Sequence, residues 1–153
     1  MKNHQLHPRL QFTTVREVLE WARKTHKDKI AYSYREKASS QEILKVSFEK
    51  LHRDAAALAS ALTAMGVQGK HCAVVGKLSY HWALVYFAVL SAGGVLMPLD
   101  KDWKPEDLAH TAGEGEAKFL FCDSESKEAA EAISARADLE HSPVWMNACG
   151  EDS

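Results

Sequence analysis

No stretch of this sequence is apolar for the roughly 20 residues that a helix needs to cross a bilayer. The longest such run, near Trp82–Leu90, is less than half that length. The N-terminus, Met1–Leu10, is polar and carries His4, His7 and Pro8, so it lacks the apolar core of a signal peptide. Cysteine is scarce. Cys72, Cys122 and Cys149 are an odd, widely spaced set rather than the dense even framework of a small secreted scaffold. Cys72 and Cys122 lie in apolar runs, where a thiol acts as a small hydrophobe, and a reducing, cytoplasmic setting is expected. Concentrated positive charge is also lacking. With 19 Lys and Arg against 21 Asp and Glu, interspersed, no face is marked for nucleic acid or an anionic membrane. Repeats and low-complexity tracts are absent.

What remains is globular composition, 46% hydrophobic and 26% charged, in a chain of 153 residues that suffices for one core. Residues 1–12 read as a flexible arm, 13–147 as a single α/β domain, and 148–153 as a tail. Thr14 with Glu17 has capping-box spacing, and Val15, Val18, Leu19 and Ala22 follow at helical intervals, which predicts a helix over 14–26. Residues 29–36 and 42–48, separated by a polar turn at Lys37–Gln41, read as a β-hairpin. Ser47 suits the N-cap of a helix whose stripe runs Leu51, Ala55, Leu58, Ala59, Leu62 and Met65 and stops at Gly66.

From residue 71 onward strands and helices alternate. Residues 71–76, 95–98 and 118–122 are short apolar runs without alternation, as in strands buried on both faces. Val144 to Met146 is a candidate fourth. Between them lie predicted helices at 80–92, capped by Ser79, at 105–112, opened by Pro105 with Glu106 and Asp107 near its positive end, and at 124–136. The helix containing Trp82–Leu90 is apolar nearly all round and is expected to be covered on every side. This order predicts an α/β fold: a parallel sheet of βα units, flavodoxin- or Rossmann-like, with helices on both faces, plus an N-terminal helix and β-hairpin.

No residue qualifies as catalytic, cofactor-binding or metal-binding. Gly66-Val-Gln-Gly69-Lys70-His71 departs from a phosphate-binding loop in glycine spacing, in the residue after Lys, and in its helix-then-strand order. Gly93-Gly94 follows a helix, where no free amides await an anion. His71 and Cys72 are adjacent and point to opposite faces of a strand, and no Cys or His pair has zinc-ligand spacing. Ser79 and His81, two apart on a helix, do not face one another, and Gly76-Lys77-Leu78-Ser79 is no nucleophile elbow.

Two segments nevertheless resemble a known family. Leu90-Ser-Ala-Gly-Gly-Val-Leu-Met-Pro-Leu-Asp100 is similar to the second core motif of the adenylate-forming (AMP-binding) superfamily, and Val46-Ser-Phe-Glu-Lys-Leu51 resembles the first. His71–Gly76 and Ser79-Tyr-His-Trp82 resemble the buried strand and following helix between them. Pro98-Leu-Asp-Lys101 looks most like the long-chain fatty acyl-CoA synthetases.

The resemblance implies activation of a carboxylic acid, of the fatty-acid class, by ATP through an acyl-adenylate, then transfer to the coenzyme A thiol with Mg²⁺ against the pyrophosphate charge. In the family, a Ser/Thr/Gly-rich loop ending in Lys, later acidic motifs and a Lys in a small C-terminal domain carry this chemistry. No such loop occurs in this sequence. The chain is therefore expected to be an N-terminal fragment, structural and inactive by itself, that binds no cofactor. Its partner would be the remainder of its own polypeptide, and a homodimer could form through uncovered apolar surface on the Trp82–Leu90 helix. Leu78 and His81 stand where relatives carry Asn and Glu, which puts substrate contact at that loop in doubt. The residues themselves leave a second reading open, a free-standing α/β binding or assembly module without catalysis.

Overall fold

Thr14 opens the first helix, α1 (Val15–His26): its hydroxyl accepts from the Glu17 amide while the Glu17 carboxylate accepts from the Thr14 amide. The computed structural model describes residues 10–35 and 39–146. The expected arm at 1–12 and tail at 148–153, with Cys149, fall largely or wholly outside them, as do residues 36–38, where the expected first strand ends and the expected turn begins.

Strands β1 (Ile30–Tyr34) and β2 (Leu44–Ser47) pair antiparallel, which bears out the hairpin. Ser47 caps α2 (Phe48–Ala64) by accepting from the Lys50 amide, and Gly66 takes the left-handed conformation (φ +81°) just past its end. The alternating part follows: β3 (His71–Val75), α3 (Tyr80–Ser91), β4 (Val95–Leu99), α4 (Pro105–Glu114), β5 (Ala117–Cys122), α5 (Lys127–Arg136) and β6 (Val144–Trp145). All pairings in this sheet are parallel, and the strand order is β4-β3-β5-β6.

Chain direction reverses once. The connection from β3 to β4 runs one way with α3 on one face, whereas that from β4 to β5 returns across β3 with α4 on the other face. Cys72 and Val74 of β3 and Phe119 and Phe121 of β5 pack beneath α2 and α3 with Leu62, Val85 and Val89. Ala73, Val75, Leu120 and Cys122 face the other way, against Leu108, Ala112 and Ile133 of α4 and α5. Burying a side chain such as Phe121 or Ile133, which is essentially sealed from solvent, is worth about 1.5–3 kcal/mol. A third cluster, Leu19, Val46, Leu51, Ala55 and Tyr80, joins the hairpin and α1 to α2 and α3.

Five expectations need correction. Strand β4 is not buried on both faces: it lies at the sheet edge, and Val95 is 47% exposed. The strand also runs past Pro98, the last residue of the expected 95–98 range, to Leu99, and Pro98 pairs within it opposite Val74; an edge strand tolerates a residue without an amide donor. Helix α3 is not covered all round, because Val85, Ala88 and Val89 are buried while Tyr86 is exposed. Helix α5 begins at Lys127 rather than Ser124, since Ser126 donates its hydroxyl to Asp123 instead of capping the helix. Helix α4 runs to Glu114, two residues beyond the predicted limit.

Candidate functional site

In doubly wound sheets ligands bind outside the carboxyl ends of the strands where the direction of winding reverses. Here that point lies between β3 and β5, whose following loops are residues 76–79 and 123–126. The loops are tied to each other. Asp123 Oδ2 accepts from the Lys77 amide at 2.8 Å, and its Oδ1 accepts from the Ser126 hydroxyl at 2.7 Å. The Lys77 ammonium pairs with Glu125 at 2.6 Å. Leu78 projects from this edge, 89% exposed. Beside it, Ser79 accepts from the Trp82 amide at 3.2 Å, the N-cap role expected of it.

A shallow groove of about 390 Å³ opens next to this edge, between the hairpin and α3. Tyr32, Tyr34, Leu78, Trp82 and Tyr86 are among its lining residues. Tyr34 stacks on Tyr80 at 5.4 Å, and His81 meets Tyr34 edge-on at 6.1 Å. Tyr80 is buried and donates to Asp54 Oδ2 at 2.9 Å, an oxygen that Lys50 also contacts. Burial, reinforced by the Asp54 carboxylate, raises the Tyr80 hydroxyl above the ordinary tyrosine value. Tyr80 therefore stays protonated at neutral pH and braces the groove rather than moving protons.

The other sequence candidates stay apart. Lys70 pairs with Glu140, and the Gly69 amide donates to Gly93 O at 2.8 Å, so the Gly66–Lys70 segment is a turn joining two elements, not a cradle. His71 Nδ1 lies 2.5 Å from the Gly115 carbonyl oxygen on the side away from Cys72. Glu106 and Asp107 occupy the first turn of α4. Sequence reading missed the Tyr80–Asp54 pair, which is 26 residues apart in the chain. Part of that cluster was visible: Tyr32 and Tyr34 share a parity in β1 and so lie on one strand face.

The carboxylates at the switch point already accept from neighbours within the loops. Among the described residues no group of three His, Cys, Asp or Glu could hold a metal ion.

Residues 19–149 match the family model described as AMP-binding enzyme. A fatty acid–[acyl-carrier-protein] ligase of Streptomyces coeruleorubidus is 30% identical over 81 residues, 52% of this chain and 16% of that protein. The crystal structure of a long-chain-fatty-acid-CoA ligase from Archaeoglobus fulgidus superposes with a TM-score of 0.77 at 21% identity, covering 90% of this chain and 28% of the other. An anthranilate CoA ligase in complex with anthranoyl-AMP gives a TM-score of 0.73 at 18% identity, covering 87% and 25%. These structural likenesses carry the fold, and the chain spans less than a third of the length of each relative. With the family model matched over most of the sequence, the chain belongs to the AMP-binding enzyme family.

Proposed function

We propose that this chain supplies the N-terminal portion of an ATP-dependent acyl-CoA synthetase, an AMP-forming acid–thiol ligase of the cytoplasm that acts on a fatty acid. The supporting observation is the switch-point edge itself. Its loops are present and tied by Asp123 and Lys77, yet they present neither a phosphate cradle nor a free carboxylate set. The chain thus builds the sheet and leaves the reacting groups to other parts of the polypeptide, which makes it inactive alone. In the full reaction a carboxylate oxygen attacks the α-phosphorus of ATP and pyrophosphate leaves. A thiol then attacks the acyl carbon and AMP leaves, with Mg²⁺ offsetting the phosphate charge.

The test measures pyrophosphate release with ATP, Mg²⁺ and palmitate, supplying coenzyme A or a carrier-protein thiol, from this chain and from the longest polypeptide its coding DNA specifies. The expected result is no release from the chain and palmitate-dependent release from the longer protein, whose added sequence includes a Ser/Thr/Gly-rich loop ending in Lys. Turnover by the chain alone would overturn the structural role. A stop codon directly after Ser153 with no further coding segment would favour the free-standing module instead.

A further inference from the structure

Charges that are interspersed along the sequence are sorted by the fold. Residues 20–30, from the end of α1 to the start of β1, meet residues 44–54, β2 and the start of α2, at one end of the molecule. Ile30 pairs with Ser47, the Phe48 amide donates to Lys29 O at 3.1 Å, and the Glu49 amide donates to Lys27 O at 3.0 Å. These two segments hold seven Lys and Arg against four Asp and Glu, whereas the whole chain has 19 against 21. One end is therefore basic on an otherwise acidic molecule.

Most acids near this end are engaged. Glu20 meets Arg23, Lys24 and His52, Glu49 meets Arg23, and Asp54 meets Lys50 and Arg53. Glu17 turns back onto the Thr13 and Thr14 amides. Lys27 and Lys29, with Asp28 between them, are exposed, and neither lysine has an ion-pair partner among the described residues.

Beside these lysines runs a row of rings. Phe12 lies 5.8 Å from Trp21, Trp21 5.5 Å from His26, and His26 5.0 Å from Phe48, centroid to centroid. The row begins at exposed Phe12 and ends where the Phe48 amide meets Lys29. Leu10, Val18 and Ile30 are exposed along it. Val18 lies three residues before Trp21, so the two are neighbours on α1.

We propose that this end of the chain docks on an anionic lipid bilayer. Lys27 and Lys29 lie against the headgroup charge, and Phe12, Val18 and Trp21 lie at the boundary with the acyl chains, where aromatic side chains are favoured. A soluble acidic polypeptide would match the lysines but leave the apolar side chains in water. Among the described residues no helix is long and apolar enough to cross a membrane, so the contact is with one surface of the bilayer. The proposal uses none of the switch-point residues and does not depend on the ligase reading.

The experiment is cosedimentation with vesicles of phosphatidylcholine, alone or with about 30% phosphatidylglycerol. Binding is expected only to the anionic vesicles and should be lost in roughly 0.5 M NaCl. Lys27→Ala with Lys29→Ala should weaken it about thirtyfold, each lysine near the surface being worth about fivefold. Lys104→Ala with Lys127→Ala, exposed positions at the starts of α4 and α5 over the other face of the sheet, changes net charge equally and should leave binding unaltered. Phe12→Ser should weaken binding about fivefold through lost apolar contact. Circular dichroism verifies that each variant is folded. Polyglutamate, which carries the charge without the bilayer, should bind more weakly than the anionic vesicles. No binding to anionic vesicles, equal loss in the two lysine pairs, an unchanged affinity in Phe12→Ser, or polyglutamate bound as tightly as vesicles would each overturn the proposal, the last by assigning the surface to an acidic polypeptide.

Discussion

The Lys77 amide and the Asp123 carboxylate, 46 residues apart in the chain, are joined at 2.8 Å across the point where the sheet changes winding direction. Asp123 is doubly used, since its other oxygen accepts from Ser126 at 2.7 Å. One acid thus closes the loop after β3 and shapes the turn that leads into α5.

Asp123→Ala should therefore destabilise the chain by about 2 kcal/mol, because the Lys77 amide and the partly buried Ser126 hydroxyl both lose a charged acceptor. That corresponds to a fall of roughly 4–8 °C in melting temperature for a chain of this size. Asp123→Asn, which keeps acceptor oxygen, should lose less. Thermal denaturation followed by circular dichroism decides it; a melting point unchanged in Asp123→Ala would remove the bridge from the account.

Gly94 is fixed by packing rather than by backbone angle. A Cβ there would sit 2.6 Å from Val67 Cγ1 and 3.0 Å from Val89 Cγ1. Gly94→Ala should cost about 1–3 kcal/mol through overpacking, and Gly94→Ala combined with Val67→Ala should recover part of that loss in urea denaturation. Additive losses in the double variant would show that the contact is not the cause.

Burial pushes the thiols of Cys72 and Cys122 up to about 11 and about 12. They lie in cores on opposite faces of the sheet, so they cannot form a disulfide with each other. Both should resist a thiol reagent at pH 8 in the native chain and react fully in denaturant, as counted by absorbance. The sign of the linkage is set by a raised acid: the unfolded thiols ionise near pH 9, the folded ones later. Their contribution to stability is thus whole below about pH 9 and is lost as pH rises towards 11 and 12. Rising stability over that interval would contradict the burial.

Leu78 is 89% exposed and Tyr86 37% exposed beside the aromatic groove. Contiguous apolar surface of this kind favours association, so the chain should self-associate with concentration in sedimentation equilibrium. The double variant Leu78→Ser, Tyr86→Lys should shift it to monomer with a modest fall in melting point, since Leu78 stands in solvent while Tyr86 gives up its stacking on Trp82. A wild-type monomer at high concentration would argue against the groove as a contact surface.

The sequence determined what is local. Thr14–Glu17, Ser47 and Ser79 mark helix starts because each cap completes its bonds within three residues, and Gly66 marks a stop for the same short-range reason. The ordered motifs also gave the family, since they lie along the chain and need no folding to be read. The tertiary structure decided the rest. A buried and an edge strand are both short apolar runs, so only the order β4-β3-β5-β6 shows that Val95 and Pro98 stand at the rim. The all-apolar Trp82–Leu90 segment cannot reveal which side finds a neighbour. Asp54 with Tyr80, Asp123 with Lys77, and Arg16 with the Ser91 carbonyl are each brought together across 26 to 75 residues. Propensity and capping act within a turn or two of chain, whereas these contacts exist only once the sheet and its crossovers have closed.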